Sequence, residues 1–311
     1  MSLAVLFPGQ GNQTVGMGAD LFAAHPDLLG PAVDEILGWS LQELCLNGPE
    51  ETLTRTEHAQ PALFAISYAL WTEFRSAYPG PIAGAAGHSL GEFTALTAAG
   101  AMGYGDAMRV VAARGNAMAE AADMEDSGMA ALIGADETMA ASIAEKSQAG
   151  GGRLQVANIN APGQVVVAGS AADIAWVVEN ARELGVRRAI PLKVAGAFHS
   201  TFMEPAAKRV SDALEGLELT ALEFPVWSNT TARPHVLADL TSTLTAQVVS
   251  TVRFAESLGD MAAAGIDTFV HLGPGDVTAG MARRAVAGAE VRVISSRADI
   301  PGVVDALVSI A

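Results

Sequence analysis

Apolar positions along this chain follow two rhythms. Residues 3–8 (LAVLFP) form an unbroken apolar run that predicts a short buried strand, closed by the glycine-rich turn GQGNQ. Residues 26–46 and 61–76 carry apolar side chains at helical spacing, which predicts helices there. The small-residue run 82–87 (IAGAAG) predicts a strand feeding a helix in HSLGEFTALTAAGAM, and another helix is predicted over 105–122. From residue 128 the pattern changes. GMAALIG (128–134) reads as a strand and DETMAASIAEK (136–146) as a helix, with a surface loop at Gly150-Gly151-Gly152. RLQVANI (153–159) and QVVVAG (164–169) are strands joined by the turn Asn160-Ala161-Pro162-Gly163. A helix over 171–185 and a strand over 186–192 complete the order βαββαβ, which folds as a ferredoxin-like unit. Helix–strand alternation then resumes: helix 201–215, strand 224–228, helices 239–248 and 253–264, strand 267–272, and a helix after Gly275.

This order predicts an α/β fold. A large α/β-hydrolase-like domain with a parallel sheet would comprise residues 1–125 and 195–311. A small ferredoxin-like subdomain, 126–194, would be inserted into it. With 311 residues, half of them hydrophobic and 17% charged, the chain has ample material for a core. Its single cysteine, Cys45, excludes a disulfide framework and cysteine-rich metal sites. Thirty-four acidic residues against 18 basic ones give a net charge of -16. That balance argues against nucleic-acid binding and against an anionic membrane surface, since both need a basic face. The first apolar stretch is too short to span a bilayer and follows no basic segment, so a soluble cytoplasmic protein is expected.

Residues 87–91, Gly-His-Ser-Leu-Gly, form a GxSxG pattern between a predicted strand and a predicted helix. On such an elbow Ser89 sits in a strained turn with its hydroxyl exposed. Gly87 and Gly91 allow strand and helix to pass closely, and the Leu90 N–H lies at a helix N-terminus where an oxyanion would be stabilised. The plainer alternative is a glycine-rich turn with a solvated serine. A serine nucleophile needs a base. His88 adjoins Ser89 and should point away from the hydroxyl. His25 and His235 sit beside prolines in expected loops, His58 lies in a polar stretch, and His271 alternates within a strand as a core residue. His199, in the small-residue turn AGAFHST, is the best-placed base; otherwise it is a polar residue at a helix start. Gly9-Gln10-Gly11 lacks the third glycine of a dinucleotide fingerprint and reads as backbone beside a site, and Gly273-Pro274-Gly275 reads as a turn. Arg114, within an apolar helix, must pair or reach solvent. It is either an ordinary salt bridge or a fork for a carboxylate substrate.

FPGQG (7–11), Gln13, Gly16-Met17-Gly18, Gln60-Pro61, GHSLGE (87–92), Arg114, ANINAPGQVVVAG (157–169), GAFHS (196–200) and GPG (273–275) occur in this order over nearly the whole chain. Together they resemble the malonyl-CoA:acyl carrier protein transacylases of fatty-acid synthesis and the acyltransferase domains of polyketide synthases. The resemblance implies a ping-pong transfer of malonyl from malonyl-CoA to Ser89 and then to the phosphopantetheine thiol of an acyl carrier protein. No metal or redox cofactor is implied. It implies His199 as the base, oriented by the backbone carbonyl of Gln247, although Ser250-Thr251 stands where the family more often has Asn-Pro. It further implies an oxyanion hole from the N–H groups of Gln10 and Leu90, and a bidentate grip of Arg114 on the malonyl carboxylate. Phe198 and Met118 would line the acyl pocket, Phe198 filling the space an α-methyl group needs; otherwise both are core. Because carrier proteins are acidic, a local basic patch must serve; Arg187-Arg188, Lys193 and Arg283-Arg284 are candidates, with Arg187 and Arg188 the best placed, and otherwise such pairs are an ordinary solvated edge. A monomer is expected. The rival readings are the same enzyme type in a polyketide or specialised pathway, a serine esterase or thioesterase, and a non-catalytic carrier-protein-binding subunit.

Overall fold

The computed structural model describes residues 1–309. Among them nine strands build two sheets: β1 Leu3–Phe7, β2 Gly84–Gly87, β3 Ser127–Ile133, β4 Gln155–Ala161, β5 Gln164–Ser170, β6 Arg188–Pro191, β7 Val226–Trp227, β8 Thr268–Leu272 and β9 Glu290–Ile294. The first sheet is parallel throughout, in the order β7-β2-β1-β8-β9. Strands β1, β2 and β8 are buried along their full length, as strands covered by helices on both faces must be. Phe7 pairs with Gly87 and Leu6 with His271, so the segments following β1, β2 and β8 leave the same end of the sheet. The strand order reverses around β1, and in open parallel sheets ligands bind beyond the carboxyl ends at such a point.

The second sheet is antiparallel, in the order β4-β5-β3-β6. Counted within the unit this is 2-3-1-4, the ferredoxin-like arrangement, with helices Glu137–Ala149 and Ala171–Asn180 as its crossovers. Alternation along its strands separates two faces. Ala130, Leu132, Val165 and Val167 pack with Ile143, Ile174 and Val177 of those helices. Met129, Ala131, Val166 and Ala168 join the main core on the other side. The four strands fall between residues 127 and 191.

The structure departs from the periodicity at several elements. The helical stretch expected over 26–46 is three short helices, Pro26–Leu29, Pro31–Leu37 and Leu41–Asn47. Gly30-Pro31 breaks the first pair. Gly38, at φ 77°, ends the second helix, and Ser40 caps the third. The helix expected from Pro61 begins at Thr56 and runs to Ala77 with Pro61 inside it. A proline near a helix start suggests the first turn; here one more turn precedes it, and that turn carries Gln60 into the helix. Strand β9 and the helix Ile300–Ser309 carry no element in the sequence reading. β9 is a partly exposed edge strand, and its lack of a buried apolar run explains the omission. No helix among the described residues is long and apolar enough to cross a membrane.

Candidate active site

Ser89 sits between β2 and the helix Leu90–Ala98 with φ 52° and ψ -105°, a strained conformation for a residue with a side chain. The two glycines of the pattern make this turn sterically feasible. A Cβ on Gly87 would lie 1.8 Å from the Gly91 carbonyl carbon, and one on Gly91 would lie 2.3 Å from the Phe7 carbonyl oxygen. Asn229, just after β7, fastens the turn from outside. Its Oδ1 accepts from the Ser89 N–H at 2.7 Å, and its Nδ2 donates to the Gly87 carbonyl at 2.7 Å.

His199 lies 110 residues away in the segment after β6, itself at φ 59° and 4% exposed. Its Nε2 is 2.7 Å from Ser89 Oγ and its Nδ1 is 2.9 Å from the Gln247 carbonyl oxygen. A carbonyl only accepts, so Nδ1 carries the proton and donates. Nε2 is left with a lone pair facing the hydroxyl. Gln247 ends the helix Leu240–Gln247, where late carbonyls lack helical partners. The orienting contact expected there is therefore present in geometry despite Ser250-Thr251. Burial pushes the His199 imidazole down to about 3, and the nearby Arg114 charge pushes in the same direction. The resting imidazole is neutral, with its unprotonated nitrogen toward the hydroxyl.

Burial also lowers His88, and lowers His271 to about 4. The unfolded chain takes up these protons near pH 6.5, whereas the folded chain takes them up only at lower pH. Stability from these three groups is full above pH 6.5 and drains away as pH falls toward the folded values. The melting temperature should be level between about pH 8 and 7 and fall steadily from about pH 6.5 to 5, above the ordinary carboxylate range. A level melting curve across that interval would contradict the neutral burial of these histidines.

Arg114 lies in the helix Tyr104–Met124 and is fully buried. Its Nη1 donates to Gln60 Oε1 at 2.6 Å. Its Nη2 donates to Ser89 Oγ and to Gln247 Oε1, each at 3.0 Å. Nε finds no acceptor. Of the two sequence readings, the ordinary salt bridge is not what forms: among the described residues no carboxylate contacts this guanidinium. Burial lowers its pKa to about 10, which still leaves it charged at neutral pH.

These groups open on a cavity of about 250 Å³ between the two sheets. Gln10, Leu90, Met118 and Phe198 line it with Ser89, His199 and Arg114. The backbone N–H groups of Gln10 and Leu90 have no acceptor among the described residues. Gly9 brings the first of them in: a Cβ there would lie 2.5 Å from the His88 carbonyl oxygen. Phe198 and Met118 are both nearly buried, and the Met118 sulfur accepts weakly from Gln60 Nε2 at 3.5 Å. From the small sheet come Met129, Ala131, Asn158, Asn160, Gln164 and Val166. Arg187 and Arg188 do not reach this cavity. They are exposed at the start of β6, and neither enters an ion pair among the described residues, whereas exposed Lys193 lies on the cavity wall.

His88 turns from the hydroxyl, as expected, and meets Asn160 Oδ1 at 2.7 Å, tying the elbow to the small sheet. His271 is a satisfied core residue between Thr278 and the Gly273 carbonyl. His235 lies in irregular backbone, as expected, but its side chain does not face solvent. That side chain is buried, with Nε2 at 2.6 Å from the equally buried Glu92 carboxylate. A neighbouring proline marks irregular backbone, not exposure. The sequence assigns no role to Glu92 or Asn229 and puts Asn160 in a turn, whereas Asn160 lies within β4. The one available signal was Glu92's place in the first turn of an otherwise apolar helix, where a charge must find partners.

Fold and site together define an α/β protein that presents a serine–histidine pair on a strand-to-helix elbow, with a buried arginine beside the hydroxyl. The acyl transferase domain family matches residues 5–301, and the chain belongs to it, among the malonyl-CoA:acyl carrier protein transacylases. The chain is 40% identical over 285 residues to a malonyl CoA-acyl carrier protein transacylase of Bacillus subtilis, covering 91% of this chain and 90% of the relative. The corresponding Escherichia coli protein is 36% identical over 286 residues, 91% of this chain and 92% of its own length. A solved acyl-carrier-protein-S-malonyltransferase from Bartonella henselae superposes with a TM-score of 0.92 at 36% identity, covering 99% of both chains. A malonyl transacylase solved in complex with a type II polyketide-synthase acyl carrier protein superposes at 0.93 and 32% identity, covering 98% of this chain and all of that one.

Proposed function

We propose that this chain transfers malonyl from malonyl-CoA to the phosphopantetheine thiol of an acyl carrier protein through a malonyl-Ser89 ester. The observation that carries this reading is the buried Arg114 guanidinium, free of any carboxylate partner and 3.0 Å from Ser89 Oγ. A buried cation beside a nucleophile rewards an acyl group that brings its own carboxylate.

In the first half-reaction Ser89 Oγ attacks the thioester carbonyl while His199 Nε2 takes its proton. The tetrahedral oxyanion lies against the Gln10 and Leu90 N–H groups. The C–S bond breaks, and coenzyme A leaves as a thiol with the proton from His199. In the second half the carrier thiol gives its proton to His199 and attacks the ester. Ser89 leaves and recovers that proton. These steps close without a metal or redox cofactor. Phe198 fills the space beside the malonyl α-carbon, and Met118 packs below Arg114 on the same helix. We place the reaction in the cytoplasm with the chain acting as a monomer. Exposed, unpaired Arg187 and Arg188 give an acidic carrier protein a place to dock.

The test is transfer to a holo acyl carrier protein. Incubation with malonyl-CoA should yield malonyl carrier protein, with little free malonate. The double variant Arg187→Glu, Arg188→Glu should slow transfer about tenfold at low salt, and less at high salt. Free malonate as the main product would replace this reading with a thioesterase. An unchanged rate in the double variant would remove the docking role.

A further inference from the structure

Glu92 takes no part in the steps above, yet its carboxylate is fully buried behind the elbow. It sits in the first turn of the helix that Ser89 begins. Three donors hold it. The Asn229 N–H at 3.0 Å and His235 Nε2 at 2.6 Å both reach Oε1, and Gln247 Nε2 reaches Oε2 at 2.8 Å. The same Gln247 amide nitrogen also donates to the Ser89 carbonyl at 2.7 Å. Its amide oxygen, Oε1, is therefore turned to Arg114 Nη2.

We propose that Glu92 is a positioning residue for acyl selection, setting the orientation of the Gln247 amide so that Arg114 stays aimed at the acyl cavity with no carboxylate on its fork. This rests on the malonyl-transfer reading above. A carboxylate placed directly on the guanidinium would neutralise it but would occupy the place of the substrate's own carboxylate. Held one amide away, Glu92 compensates the buried cation through Gln247 and leaves the guanidinium for the acyl group. The amide carries the effect because its two ends differ. With Nε2 toward Glu92, Oε1 accepts from Arg114. Reversed, an NH2 group would face a guanidinium.

Replacing Glu92 by glutamine decides which way the relay turns. The new amide must choose where to put its one oxygen. Asn229 and His235 present two donors on one side, and Gln247 presents one on the other. The oxygen goes to the pair, and the new NH2 faces Gln247 Nε2; two amide nitrogens cannot share that contact, so the Gln247 amide turns or swings away, giving up its bond to the Ser89 carbonyl and its place on Arg114. Arg114 then loses an acceptor. The Gln247 backbone carbonyl still orients His199, so the fault falls on acyl choice more than on nucleophile activation.

Single-turnover labelling of Ser89 by malonyl-CoA and by acetyl-CoA reads this directly as a ratio. A loss of folded protein lowers both rates equally and leaves the ratio alone. In Glu92→Gln the malonyl-to-acetyl ratio should fall at least about tenfold. Gln247→Met, which cuts the same relay and keeps the backbone carbonyl, should give a similar fall; it decides the matter if Glu92→Gln does not fold. His235→Phe removes one of three donors to Glu92 and leaves the relay intact, so its ratio should stay within about threefold of wild type. A wild-type ratio in either relay variant, or an equal fall in His235→Phe, overturns the proposal. Absence of any malonyl label on the wild-type protein would instead bring down the transfer reading on which it rests.

Discussion

Replacing Arg114 with alanine is expected to abolish the preference for a dicarboxylic acyl group. Malonyl labelling of Ser89 should fall about 10²–10³-fold, corresponding to about 3–4 kcal/mol for a fully desolvated charged contact. Acetyl labelling should change by less than about tenfold, because acetyl brings nothing for the guanidinium to hold. The vacated space leaves Gln60 Oε1 and Gln247 Oε1 without their donor, but both lie on or beside a cavity that water can enter. The two rates are measured on one protein preparation, so folding yield cancels. Arg114→Lys should recover little, since an ammonium cannot reach Gln60, Ser89 and a carboxylate together as a planar fork does. Equal losses for malonyl and acetyl would mean that Arg114 serves the pocket's structure and not acyl choice.

The second large effect is on His199. His199→Ala should reduce the acylation rate about 10³–10⁴-fold with little change in malonyl-CoA affinity, the pattern of an interaction made only in the transition state. Among the described residues the imidazole is the only base hydrogen-bonded to Ser89 Oγ. The Arg114 Nη2 donor on the same oxygen helps the developing alkoxide but accepts no proton. A carbonyl at Nδ1 orients the ring without adding a counter-charge for the imidazolium. The low pKa of the resting ring means that activity should not be lost to His199 protonation anywhere between about pH 8 and 5. A variant retaining more than a tenth of the wild-type acylation rate would point to another base.

Much of the site could be read from the sequence because its parts carry local constraints. Ser89 is flanked by two glycines that nothing larger can replace, and Gly9-Gln10-Gly11 and Gly273-Pro274-Gly275 follow strands that leave the same end of one sheet. The βαββαβ order of the insert was equally visible, because β5 is a continuous apolar run beside a Pro162-Gly163 turn. What stayed hidden depends on contacts between segments distant in the chain. Glu92 and His235 are 143 residues apart, and nothing in either neighbourhood announces the other. Asn229 is one polar residue in a loop until β7 places it behind the elbow. The alternatives for Arg114 could be separated only by seeing that its partners are amide and hydroxyl oxygens. Helix boundaries were lost where tertiary packing overrode local signals, as at Pro61, whose helix begins a turn earlier so that Gln60 can meet Arg114.

The account depends on the Ser89 hydroxyl receiving a malonyl group within reach of His199 and Arg114. Intact-mass analysis after brief exposure to malonyl-CoA, followed by peptide mapping, tests it most directly. One malonyl adduct per chain, located on Ser89, absent from Ser89→Ala and far weaker with acetyl-CoA, is the predicted result. A malonyl adduct that persists in Ser89→Ala, or equal labelling by acetyl-CoA, would contradict it.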